Sequence, residues 1–178
     1  ERVMNLIPTI KKLIFANNKG ELDIPNFRYI NSAFEDIGER IDMKYDVIFS
    51  QAVLEHTYNS NKVFGEMFDS LKEEGVMIHE IDFATHTSFL RDWDPLNILR
   101  FSEPVYNGLK FQGSPNRLRM SDYKKFAHNA GFKDIKIYPI NELSRNSAEK
   151  FRESLKNKYK DYKISDLKML SAVLIARK

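Results

Sequence analysis

The chain has 178 residues, of which 42% are apolar and 30% are charged, so it is long enough for one domain with a hydrophobic core but short for two. Its 28 basic and 25 acidic residues are interspersed and leave a net charge of +3, which argues against a nucleic-acid-binding face. No apolar run approaches the roughly 18 residues of a membrane helix, and the lack of cysteine excludes disulfides and is compatible with the cytoplasm, where we expect the protein.

The first half of the chain alternates helical and strand patterns, which predicts an α/β fold with a mostly parallel sheet. Apolar residues at helical spacing predict a helix over residues 4–14, and an aromatic stretch predicts a strand over 27–31. The run from Tyr45 to Ser50 is short and apolar enough to predict a strand that is buried on both faces.

A second helix is predicted to begin near Asn59 or Ser60, because these residue types cap helices well. Its apolar stripe consists of Val63, Phe64, Met67, Phe68 and Leu71. We expect Gly75 to end this helix as a left-handed cap residue, and a further strand to follow over 76–81.

Residues 83–120 show no clean periodicity, and a stretch of this length inside a compact domain is typical of a lid or a substrate-binding insertion. Residues 121–178 predict a helix–strand–helix–strand closure of the domain. Its elements are a helix capped by Ser121 and ended by Gly131, a strand over 135–140, a helix over 146–162 and a strand over 169–176.

The most informative segment is Tyr45–His56, with the sequence YDVIFSQAVLEH. A buried strand here ends in a polar turn and leads at once into a short helix. Ligands of open α/β sheets bind outside the carboxyl ends of the strands, so Ser50 and Gln51 are predicted to lie at a crevice. The segment resembles the fourth-strand signature of class I S-adenosylmethionine-dependent methyltransferases.

This resemblance implies cofactor-binding residues in the preceding turn. By position, Ser32 and Ala33 correspond to the family's adenine contacts, and Phe34 could pack on the purine. The family often has an acidic residue where this chain has Ser32, which weakens that hydrogen bond. Glu35 or Asp36 could replace it, or both could be solvated loop carboxylates.

The resemblance continues downstream and covers roughly residues 27–178. The stretch Leu71–Glu80 resembles the family's turn into the fifth strand, with Glu73 and Glu74 in place of the usual proline and first glycine. The final helix and strands match the family's closing antiparallel pair. The resemblance therefore implies a Rossmann-like methyltransferase fold with a closing antiparallel strand.

The family's glycine-rich loop, which approaches the methionine part of the cofactor, has no counterpart here, since no two of the seven glycines are close enough. The chain also begins without methionine. We therefore expect a truncated domain, with 1–82 as the remaining cofactor side, 83–120 as the lid and 121–178 as the closure. Truncation would expose apolar strand edges and favour a homo-oligomer or poor order before residue 40.

Methyl transfer requires alignment of the nucleophile, and a hydroxyl acceptor also needs a base with a pKa near neutrality, which suits histidine. His56 and His79 follow central strands and are the predicted catalytic residues. Alternation places His79 and Ile81 on one face of their strand and Glu80 and Asp82 on the other. The competing interpretation is a strand-end histidine bonded to a backbone carbonyl.

Substrate contacts are predicted for five polar residues near these strand ends and in the irregular stretch: Asp82, His86, Asn116, Arg117 and Arg119. Two arginines close together can hold a carboxylate or phosphate by paired hydrogen bonds, although surface arginines without a partner are the simpler interpretation. The spacing of His79, Asp82 and His86 matches no recognised metal signature, so no metal is predicted.

The resemblance implies transfer of a methyl group from S-adenosylmethionine to an oxygen or nitrogen of a small-molecule acceptor. Two other hypotheses stay open on the sequence. One is a non-catalytic methyltransferase-like interaction module that has lost cofactor binding. The other is a nucleotide-binding α/β domain such as a dehydrogenase fragment, which fits less well with Leu54, Glu55 and His56.

Overall fold

The computed structural model describes residues 21–24, 27–38, 40–111 and 113–178, and the helix expected over 4–14 lies outside them. The strands are β1 (Glu21–Ile24), β2 (Phe27–Ile30), β3 (Tyr45–Gln51), β4 (Leu71–Asp82), β5 (Lys133–Glu142) and β6 (Met169–Arg177). The α-helices are α1 (Ser60–Ser70), α2 (Ser88–Arg91), α3 (Glu103–Leu109), α4 (Met120–Ala130), α5 (Arg145–Ser154), α6 (Asn157–Lys160) and α7 (Ile164–Leu167).

Four of these strands form an open sheet in the order β3-β4-β6-β5. The β3–β4 pairing is parallel, and the β4–β6 and β5–β6 pairings are antiparallel. The predicted α/β class and the closing antiparallel strand are confirmed. In the described sheet β3, β4 and β5 run in one direction, and β6 runs between β4 and β5 in the opposite direction. β1 and β2 form a separate antiparallel hairpin.

The main core lies between this sheet and two helices, α1 and α4. Phe64 of α1 is fully buried and packs at 6.3 Å, centroid to centroid, from the ring of Tyr123 on α4. Met77 and Ile81 of β4 belong to the same buried cluster. The helical stripe predicted for α1 is confirmed, and the Asn59 side chain caps the helix by accepting from the Lys62 amide at 3.1 Å.

The two predicted glycine stops have different outcomes. Gly131 follows α4 with φ of 105°, as the left-handed cap requires. Gly75 does not end α1, which stops at Ser70; it lies inside β4, and the left-handed residue there is Glu74 with φ of 61°. Glycine is needed at 75 because a Cβ would stand 2.8 Å from the Lys72 carbonyl oxygen.

Strand β3 differs from its prediction in burial. Within the described residues it pairs with β4 alone, and the side chains of Val47 and Phe49 are 49% and 78% exposed. The strand predicted to be buried on both faces is therefore an edge strand with one open face.

Residues 83–120 contain short helical turns that pack against the C-terminal helices. Leu96 and Leu99 form a second buried cluster with residues that include Leu155 and Leu167. The helix predicted over 146–162 is interrupted because the Lys156 amide leaves the helix and donates to the Leu99 carbonyl at 3.2 Å. Among the described residues, no helix combines the length and apolar character needed to span a membrane.

Candidate functional site

The carboxyl ends of β3 and β4 meet at one edge of the sheet. Ser50 and His79 are register partners there, and the Ser50 hydroxyl lies 2.7 Å from His79 Nδ1. The chain then turns sharply at Ala52, whose φ of 51° is rare for a residue with a side chain. The Ala52 amide donates to the Glu80 carbonyl at 3.0 Å and holds this turn against β4.

His79 is only 2% exposed, as its inward-facing position on β4 predicts. Burial lowers the pKa of His79 to about 4, because a charged imidazolium would lose its hydration. The imidazole is therefore neutral at physiological pH and a weak proton acceptor. Burial and the neutral imidazole therefore favour a hydrogen-bonding role toward Ser50 over the predicted role of catalytic base.

Phe34 and Ser50 line one small apolar cavity of about 70 Å³ beside His79. A neighbouring, more open depression of about 280 Å³ shares Phe34 with this cavity and continues along the exposed face of β3. Phe34 of the 32–34 turn is thus brought beside Ser50 at the end of β3, 16 positions later in the sequence.

The other predicted cofactor contacts lie around this cavity without lining it. Ser32 is half-buried and its hydroxyl donates to the Ala33 carbonyl at 3.2 Å, while Ala33 is exposed. Gln51 points away from the cavity into a different depression. Glu35 is buried and its Oε1 atom accepts from the Tyr58 and Asn59 amides, so it orients the start of α1.

Glu55 is the least expected member of the site, since it is 2% exposed and neither carboxylate oxygen has a hydrogen-bond partner among the described residues. Burial raises the pKa of Glu55 to about 7, and the neighbouring Asp82 and Glu80 carboxylates act in the same direction. The backbone amides of Glu55 and Asp82 are near enough to oppose this increase in pKa, although neither completes a well-aligned hydrogen bond.

His56 and His86 lie next to Glu55 on the solvent side. Their ring centroids are 5.0 Å apart, and His86 Nε2 lies 3.7 Å from Asp82 Oδ2. Burial lowers the pKa of His86, while the Asp82 carboxylate favours the charged form. Asp82 itself is occupied by Arg91, whose guanidinium lies 2.6 Å away. The ligand atoms of Glu55, His56 and His86 all lie within 4.8 Å of one another.

Two surface depressions adjoin this cluster. One, of about 400 Å³, is lined by Gln51, Asp82 and Arg91 and lies beyond the ends of β3 and β4. The other, of about 310 Å³, is lined by His56 together with Asn116 and Arg117. Both volumes are in the range of small-molecule sites.

Asn116 fastens the irregular stretch to the turn that carries Glu55 and His56. Its backbone amide donates to the Glu55 carbonyl at 2.7 Å, and its side chain donates to the Leu54 carbonyl at 2.9 Å. Asn116 therefore borders the predicted substrate side while its polar atoms hold the protein together.

Neither predicted substrate arginine presents a free guanidinium group. Arg117 is buried, pairs with Glu103 at 2.7 Å and stacks over the Tyr106 ring at 3.9 Å. Arg119 is 1% exposed and donates to the carbonyl oxygens of Phe83, Asp166 and Met169. Both guanidinium groups therefore have internal partners in place of the acceptor that the sequence predicted for them.

Sequence reasoning missed Glu55, Glu80 and Arg91 as members of this site. Glu55 stood inside the recognised segment, but nothing local indicates that it is buried, since its environment depends on Asn116 and on Asp82. Arg91 could have been proposed from its position after β4, opposite the carboxylates.

A Rossmann-like methyltransferase fold is defined by three features of the structure. They are the parallel β3–β4 unit, the antiparallel β6–β5 closure and a turn-lined cavity at the carboxyl ends. Comparison with known proteins agrees. A methyltransferase domain family model matches residues 3–79, and a solved S-adenosylmethionine-dependent methyltransferase from Archaeoglobus fulgidus superimposes with a TM-score of 0.51 at 15% identity, over 86% of this chain and 69% of that one. The resemblance to class I S-adenosylmethionine-dependent methyltransferases is therefore confirmed.

Two further solved structures are more distant. A phosphoethanolamine N-methyltransferase from Haemonchus contortus, in complex with S-adenosylmethionine, has 16% identity and a TM-score of 0.44, over 75% of this chain and 33% of that one. A methyltransferase from Thermotoga maritima has 13% identity and a TM-score of 0.47, over 83% and 61%. The chain spans about a third of the length of the Haemonchus enzyme. No curated protein matches the sequence.

Proposed function

We propose that this chain is part of an enzyme that transfers a methyl group from S-adenosylmethionine to a small-molecule acceptor. The observation that carries the proposal is the cavity shared by Phe34 and Ser50 at the carboxyl end of β3. Phe34 lies in the turn that the resemblance assigns to the adenine, and Ser50 lies at the strand-end crevice where open α/β sheets bind their ligands.

The cavity of about 70 Å³ is too small to enclose a purine, so the base is proposed to lie across it and the adjoining depression of about 280 Å³, which share Phe34. Phe34 offers an aromatic face, Ile48 and Val53 offer aliphatic walls, and the Ser50 hydroxyl is the polar group at the rim. His79 Nε2, buried and without a hydrogen-bond partner, lines the same cavity. When bound, S-adenosylmethionine supplies a methyl group activated by its sulfonium charge. Ser32 and Ala33 would contact it from the preceding turn.

The acceptor is proposed to lie beyond β3 and β4, in the depressions lined by Gln51 and Asp82 and by His56 and Asn116. The chain contributes mainly alignment of an oxygen or nitrogen nucleophile. Asp82 lines the first depression and His56 the second, and His86 lies 3.7 Å from Asp82 Oδ2. His56 takes the role of proton acceptor for a hydroxyl, because it is exposed whereas His79 is held neutral by burial.

The proposal is tested by calorimetric titration of the protein with S-adenosylhomocysteine, comparing Phe34→Leu with the matched variant Phe89→Leu. Stacking of a base on an aromatic ring contributes about 1–3 kcal/mol, so Phe34→Leu should weaken binding by about 5- to 150-fold. Phe89 is exposed on α2 and lines neither cavity, so its replacement should leave binding unchanged.

Binding that is lost in Phe34→Leu and kept in Phe89→Leu supports the enzyme. Absence of binding to the unmodified chain at millimolar ligand, or equal binding by both variants, contradicts the proposed cofactor site. Absence of binding favours the second candidate, a methyltransferase-like interaction module without catalysis.

A further inference from the structure

Glu55, His56 and His86 form a cluster of residue types that bind metals, and the proposed function gives this cluster no ligand. One ligand atom from each residue lies within 4.8 Å of the other two. Ligand atoms around one ion at about 2.1 Å lie about 3–4 Å apart. Closure therefore needs side-chain movements on the order of 1 Å, which the exposed rings of His56 and His86 permit.

The unpartnered Glu55 carboxylate is an independent indication of a missing ligand. Within the described part of the chain both oxygens are buried without a hydrogen-bond partner, although buried carboxylates are almost always paired, hydrogen-bonded or bound to metals. The charges around it point to a cation. Glu80 and Asp82 are the nearest carboxylates to Glu55, and Arg91 neutralises only one of them, through Asp82.

We propose that Glu55, His56 and His86 bind one divalent transition-metal ion, such as Zn²⁺, at the carboxyl ends of β3 and β4. Two imidazole nitrogens and one carboxylate form a ligand set for ions of borderline softness rather than for Ca²⁺ or Mg²⁺. Asp82 is not a ligand, because Arg91 and the Ala84 amide already hold its two oxygens.

Such an ion changes the role of His56. A ring nitrogen that binds metal cannot also accept a proton, so the metal site replaces the proton-accepting role proposed above for this residue. Three protein ligands leave at least one coordination position open, and an oxygen donor such as water, a hydroxyl or a carboxylate can take it. The role of the ion at the acceptor rests on the proposed function, whereas metal binding itself does not.

The test is a titration of the chelator-treated full chain with Zn²⁺ by calorimetry, and with Co²⁺ by visible spectroscopy. The unmodified protein should bind one ion, and Co²⁺ should show the ligand-field absorption of nitrogen and oxygen coordination. Glu55→Gln, His56→Ala and His86→Ala should each weaken binding by at least about 10- to 100-fold, since even outer ligands have effects of this size.

His128→Ala is the matched control, because His128 is exposed on α4, outside the cluster. Glu55→Gln keeps the shape of the buried side chain, and His56 and His86 are exposed, so a circular-dichroism melt should show all three variants folded. Failure of the unmodified chain to bind, or equal loss of binding in His128→Ala, overturns the site.

The two proposals fail separately. S-adenosylhomocysteine is titrated into the same variants. Metal binding without S-adenosylhomocysteine binding retains the metal site and removes the methyl-transfer proposal, and the reverse result removes the metal site alone.

Discussion

His79 lies where two neighbouring strands end, with its ring enclosed by core side chains and its Nδ1 atom beside the Ser50 hydroxyl. The energetic consequence of this burial is a dependence of stability on pH. The unfolded chain binds a proton on this imidazole at an ordinary pKa near 6.5, whereas burial lowers the pKa to about 4 in the folded chain.

Between pH 6.5 and about 4 only the unfolded state is protonated at His79, so the free energy of unfolding falls as the pH drops through this range. The difference between the two pKa values corresponds to about 3 kcal/mol. His79→Asn keeps a polar group near Ser50 but does not titrate. Between pH 7 and pH 4 we expect its free energy of unfolding to fall by about 3 kcal/mol less than that of the unmodified protein. Denaturant unfolding at both pH values measures this, and identical losses would contradict it.

Residue by residue, the sequence predicted where the site lies better than what each side chain does. Ser50, Phe34, His56 and Asp82 lie at or beside the strand ends as expected, because strand and turn patterns are local. The burial of Glu55 and the internal bonds of Arg119 depend on partners 27 to 50 positions away, at Asp82 and at Met169. No local pattern contains that information.

Among the elements, helix α4 and its end were predictable because a single glycine in the left-handed backbone conformation marks the end. Gly131 adopts φ of 105°, and a Cβ there would stand 3.0 Å from the ring of Phe68 on α1. The end of α1 was not predictable in the same way, because the left-handed position after it is occupied by Glu74.

We expect Gly131→Ala to destabilise the protein by at least about 1–2 kcal/mol, since a side chain disfavours this backbone conformation and the Phe68 ring must also move. Gly65→Ala is the control: it lies inside α1, its added methyl group meets nothing within 4 Å, and it should stabilise by about 0.5–1 kcal/mol. Thermal unfolding of both variants checks this. A neutral Gly131→Ala would show that the α4 stop does not depend on glycine.

The predicted lid over 83–120 shows the limit of periodicity at this scale. Leu96 and Leu99 are fully buried and stand at helical spacing, but the run is too short to predict more than one turn, and their partners Leu155 and Leu167 lie in other elements. Part of the segment belongs to the second buried cluster. Only its helix α3 and the neighbouring loop border the depression lined by His56.

Across the whole molecule, β3 and β5 are the edges of the four-stranded sheet formed by the described residues. The sequence analysis expected an apolar edge and self-association, and Val47 and Phe49 on β3 are indeed exposed. Exposed edge strands with apolar side chains pair readily with other chains.

We expect the protein to self-associate as its concentration rises, and Val47→Lys to reduce this because a charged side chain on an edge strand blocks pairing. Leu109→Lys is the control. Leu109 is 70% exposed on α3, so its replacement removes a similar apolar surface that lies away from the sheet edge. Light scattering over a concentration series measures the effect. Equal reduction by both variants would indicate nonspecific association through apolar surface. A monomer at all concentrations would exclude edge pairing.

Arg119 has a consequence for how the molecule opens. It donates to carbonyls beside both buried clusters, Phe83 and Met169 in the first and Asp166 next to Leu167 of the second. Separating the clusters would break these hydrogen bonds, so Arg119 couples the opening of one cluster to that of the other although each has its own buried core.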